Sequence, residues 1–80
     1  MDKPYPGTGV VVTINRQEGW IEINHQEIKG LMAAMQMEFN VKDKSLLDRA
    51  KVGERVDFAI TETEEGEYLT DIKPAAKSSP

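Results

Sequence analysis

In Trp20-Ile21-Glu22-Ile23-Asn24-His25 the side chains sort cleanly by twos. Ile21, Ile23 and His25 fall on one face, and Trp20, Glu22 and Asn24 on the other, the period of a half-buried strand. Upstream, Val10-Val11-Val12-Thr13-Ile14 is β-branched throughout, which suits a pleated surface and penalises a helix. The polar turn Asn15–Gly19 separates the two runs, so they read as a hairpin. Downstream, Met35-Gln36-Met37-Glu38-Phe39-Asn40-Val41 alternates again, with Met35, Met37, Phe39 and Val41 on its apolar side. Between them Gln26–Ala34 reads as a connection, interrupted at Gly30, with Ile28 and Leu31 turned to the core.

The rest of the chain continues the pattern. Asp43–Arg49 reads as one or two helical turns with Asp43 as N-cap. Arg55–Thr63 is a fourth strand with Val56, Phe58 and Ile60 on one face. Glu64-Glu65-Gly66-Glu67 is a charged hairpin tip, and Tyr68–Lys73 a fifth strand. The expected fold is all-β: a small five-stranded OB-like barrel with a short helical turn between strands 3 and 4. Residues 1–6, with Pro4 and Pro6, are expected as a flexible lead-in, residues 7–73 as the domain, and residues 74–80 as a flexible tail.

Eighty residues allow one core. No apolar run approaches the roughly 18 residues of a membrane span, and no charged n-region followed by an apolar h-region is visible. Direct membrane insertion is not expected. The net charge of −4 opposes a nucleic-acid surface, which needs a basic field. The absence of cysteine removes disulfides, thiolate metal sites and thiol catalysis. With one histidine and no nucleophile–base pairing, an enzyme is not expected.

The chemistry concentrates between His25 and Phe39. This stretch holds the only histidine and every methionine except Met1. Thioether sulfur is a soft, uncharged ligand that favours Cu(I) and similar ions over Zn²⁺, Mg²⁺ or Ca²⁺. Met35 and Met37, two apart on a strand, point to one face. His25 ends the neighbouring strand on its apolar face, so the three side chains converge if those strands pair. Met32 would close over the same point from the connection. These ligands carry no charge when the imidazole is neutral, which suits a monovalent ion, Cu(I) or Ag(I). Protons compete only at the imidazole, whose ordinary pKa is about 6.5. Each residue also has a plainer use: strand methionines as core filler, a terminal histidine as a surface residue. Trp20 would act as a cation–π lid only against the alternation, which turns it away from His25.

The run HQEIKGLMAAMQMEF, with GTGVVVTI before it and KVGERVDFAI and YLTDIKP after it, resembles the CusF-like periplasmic Cu(I)/Ag(I)-binding proteins. That family includes the C-terminal metallochaperone domain of membrane fusion proteins in tripartite heavy-metal efflux systems. The likeness spans Gly7 to Lys73. It implies an OB-like barrel, monomeric and periplasmic, that binds one Cu(I) or Ag(I) and passes it to efflux components. It places the family's histidine at His25 and its Met-x-Met pair at Met35 and Met37. Many members carry a tryptophan three residues before that pair, stacked over the metal. Met32 stands there in this sequence, as a fourth ligand or as a cap. Two alternatives stand beside this reading: a structural OB-like interaction domain of an efflux adaptor, and an oligonucleotide-binding OB-fold, which the acidic charge opposes.

Overall fold

The computed structural model describes residues 3–75. Its strands are β1 (Lys3–Asn15), β2 (Trp20–His25), β3 (Met35–Val41), β4 (Arg55–Thr63) and β5 (Gly66–Pro74), closed into a barrel in the order β1-β2-β3-β5-β4. All neighbours are antiparallel except β3 and β5. A 3-10 turn, Lys44–Arg49, follows β3 and buries Leu46 and Leu47. Its N-cap is Asp43, whose carboxylate accepts from the Ser45 backbone N–H at 3.0 Å and the Ser45 hydroxyl at 2.6 Å. This is the expected all-β architecture, with the helical turn in the tighter 3-10 form.

The long β1 closes the barrel by serving two neighbours. Lys3–Val10 pair with β4, and Gly9–Asn15 pair with β2. A bulge between Val11 and Thr13 bends the strand between them. The expected flexible lead-in is therefore strand from Lys3 onward. Pro4 and Pro6 fit because of their parity. The Thr8 carbonyl accepts from the Gln26 N–H at 3.0 Å, so Thr8 faces β2. Alternation turns Pro4 and Pro6 the same way, and their missing N–H groups cost the β1–β4 ladder nothing. At the other end Pro74 closes β5, and the Ala75 N–H donates to the Arg55 carbonyl at 3.0 Å. The remainder of the expected tail lies outside the described residues.

The inner faces expected for β2 and β4 are buried, as is that of β3 at Phe39 and Val41. Ile21 and Ile23 of β2, Phe39 and Val41 of β3, Val56, Phe58 and Ile60 of β4, and Leu69 and Ile72 of β5 fill the barrel with Val11, Ile28 and Leu47. Among the described residues, no helix is long and apolar enough to cross a membrane.

Candidate metal centre

The β2–β3 register places His25 directly opposite Met35 and Ile23 directly opposite Met37. Opposed residues in an antiparallel pair hold their Cβ atoms about 4.5–5.5 Å apart, and diagonal neighbours remain within reach of long side chains. His25, Met35 and Met37 thus occupy one patch of the inner face, at the barrel's end. Along that face of β3, burial falls toward the rim: Phe39 is buried, Met37 half-buried, and Met35 48% exposed.

His25 is 1% exposed. Its Nδ1 lies 2.7 Å from the Gln26 carbonyl oxygen. A carbonyl can only accept, so Nδ1 carries the proton, and in the neutral ring Nε2 then holds a free lone pair. That Nε2 is buried without a hydrogen-bond partner. Leaving a buried polar atom unpaired costs about 1–3 kcal/mol. The aromatic walls offer it no conventional partner: Phe39 lies 5.5 Å away and tilted, and Phe58 lies 6.3 Å away and edge-on, centroid to centroid.

Two glycines of β1 make room for this arrangement. A Cβ at Gly7 would lie 2.7 Å from the Phe58 ring, and one at Gly9 2.7 Å from the His25 Cα. β1 therefore presents bare backbone where Phe58 and His25 are seated. Neither the Gln26 carbonyl, the Gly7 seat nor the Phe58 wall was expected from sequence as part of the site. The one available signal was Phe58's place on the inner face of the fourth strand.

Met32 is tethered to the same end of the barrel. The Ile28 N–H donates to the Met32 carbonyl at 2.9 Å, and the Met32 N–H to the Ile28 carbonyl at 3.0 Å. Ile28 is buried, and Met32 packs partly against the core. Trp20 is not brought here. It sits at the opposite end of β2, paired with Asn40, with its indole N–H donating to the Glu18 carboxylate at 3.2 Å. Among the described residues, no three His, Cys, Asp or Glu side chains gather where a metal could be held. The donors that do cluster are one imidazole and neighbouring thioethers, a soft set.

The family model for the copper binding periplasmic protein CusF matches residues 4–74. This chain belongs to the CusF family. The solved structure of apo-CusF from Escherichia coli is similar to it with a TM-score of 0.84 and 26% identity, over 95% of this chain and 92% of that one. The Ag(I) form of CusF from the same organism gives 0.77 and 25%, over 92% and 94%. The C-terminal domain of SilB from Cupriavidus metallidurans gives 0.77 and 25%, over 98% and 95%. No curated protein matches the chain by sequence. In this CusF-family chain, then, the buried imidazole and the two strand methionines share one face of a barrel whose relative has been solved with silver.

Proposed function

We propose that this chain binds one Cu(I) or Ag(I) ion through His25 Nε2 and the sulfurs of Met35 and Met37, with Met32 as fourth ligand or cap. The observation that carries this reading is the buried, unpartnered Nε2 beside Met35 on the paired strand. A buried lone pair that no group of the protein meets is open to a Lewis acid. The family description and the Ag(I) form of CusF support the choice of ion.

The role is carriage and exchange, with no catalytic step. His25 is the deep, fixed ligand, and its tautomer is set by Gln26. Met35 is the exposed one. Neutral thioethers exchange readily, so an incoming ligand would displace Met35 first and His25 last. We place the protein in the periplasm, handing its ion to components of a tripartite heavy-metal efflux system. The likeness to the SilB C-terminal domain and the family's periplasmic description support this placement.

The test is Ag(I) stoichiometry by native mass spectrometry, on the wild type and on His25→Leu. One ion bound by the wild type and none held by the variant at the same free Ag(I) is the expected result. Equal loading of both chains would remove His25 from the site.

A further inference from the structure

β3 is paired with β2 along its whole length but with β5 only at its end. The β5 register holds Asn40 with Tyr68 and Val41 with Leu69, and no pair precedes Asn40. The Val41 N–H donates to the Gly19 carbonyl, on the β2 side, at 2.9 Å. Alternation then turns the backbone N–H and C=O groups of Gln36 and Glu38 to the other edge. Among the described residues no backbone group meets them there. Such an edge is a template for one more strand.

The location gives the edge its interest. An added strand would lie about 4.8 Å from β3. Its alternate side chains would fall on the inner face, beside Met35 and Met37. Its other side chains would fall on the outer face, where Glu38 stands directly opposite Glu22. Like charges directly opposed on a sheet are destabilising. The Gln36 amide, donating to Glu22 at 2.9 Å, leaves the net charge of the pair unchanged. The inner face therefore suits soft donors, and the outer face suits cations.

We infer that the Gln36–Glu38 edge of β3 is where the ion-accepting partner docks, as an added strand with methionines beside Met35 and Met37 and lysines against Glu22 and Glu38. This rests on the proposed ion site for its purpose, but the edge can be tested without metal. The probe is a synthetic eight-residue peptide of alternating methionine and lysine, added to the Ag(I)-free chain. The readout is amide hydrogen exchange, residue by residue.

Exchange at the Gln36 and Glu38 amides is expected to slow by roughly tenfold, about what one backbone hydrogen bond confers. Glu38→Pro removes the outward N–H and spares the β2 ladder, which is made through Met37 and Phe39. It should keep one Ag(I) per chain and lose the slowing at Gln36. Glu38→Gln keeps the outward N–H but removes one of the two charges facing the lysines, so the slowing should return only at higher peptide concentration. Unchanged exchange at both amides, or peptide binding by Glu38→Pro equal to wild type, would overturn the inference. So would sedimentation of the free chain as a dimer with these amides already protected, which would make a second copy the occupant. Slowed exchange in a chain that takes up no Ag(I) would sink the ion site and leave the edge standing.

Discussion

His25 and Gln26 are adjacent in sequence, and the carbonyl of one fixes the proton of the other. The 2.7 Å contact holds the proton on Nδ1 and leaves Nε2 bare inside the barrel. In the metal-free protein this is a standing cost, because the lone pair is buried and no group of the protein donates to it.

His25→Leu should therefore stabilise the metal-free fold. Removing the unpaired Nε2 recovers about 1–3 kcal/mol, less about 1 kcal/mol for the lost Nδ1 bond. A net gain of about 1 kcal/mol raises the Tm of a domain this size by roughly 4–8 °C. Thermal unfolding with and without Ag(I) checks it: the variant should melt higher without metal and gain nothing from metal. A lower Tm without metal would mean that the imidazole serves the fold.

Met35 and Met37 differ in burial, and their alanine variants should differ in stability while agreeing in function. Met35→Ala should cost the metal-free fold less than about 1 kcal/mol, because its side chain is half in water. Met37→Ala, half-buried against the core, should cost about 1–2 kcal/mol. Both should weaken Ag(I) binding by far more than those amounts imply. Denaturant unfolding paired with competitive Ag(I) titration separates the two effects. Affinity losses no larger than the stability losses would return both residues to the role of core filler.

Gly7→Ala tests the seat beneath Phe58. The new methyl would lie 2.7 Å from two carbons of the ring. Overpacking of this kind costs about 1–3 kcal/mol, and the ring it displaces packs edge-on against His25. Denaturant unfolding should show the loss, and ¹⁵N shifts of the imidazole should move with it. Unchanged stability would show that β1 yields at this point.

β2, β3 and β4 were legible because each displays its two faces in plain alternation, as Ile21, Ile23 and His25 do. The start of β1 was not, since Pro4 and Pro6 look like breakers until the direction of their missing N–H groups is known. That direction depends on the Gln26–Thr8 bond between strands. The soft character of the side chains proposed as donors was legible from their chemistry. The depth of the imidazole was not. It depends on Phe58, supplied by β4, and on bare backbone at Gly7 and Gly9, and those neighbours are set by barrel closure.

Asp43 gives the fold an acid-sensitive cap. The Ser45 hydroxyl, then the Ser45 backbone N–H, hold its carboxyl below the ordinary range, and the Arg49 charge adds to them. A carboxyl whose pKa is lower folded than unfolded binds protons more readily in the unfolded chain. Its stabilisation is present above the unfolded value and drains away as pH falls below about 4 through the folded one. Asp43→Asn should flatten this part of the acid limb in unfolding curves taken from pH 5 to pH 2. An acid limb as steep as wild type would assign the dependence to other carboxylates.

The most direct measurement is the ¹⁵N spectrum of the His25 imidazole, together with the methionine methyl signals, as Ag(I) is added to one equivalent. The expected result is an Nε2 resonance that moves from its free-base position while Nδ1 keeps its proton, with the methyls of Met35 and Met37 shifting at the same stoichiometry. A ring nitrogen that stays put while the methyls shift, or ligation through Nδ1, would contradict it.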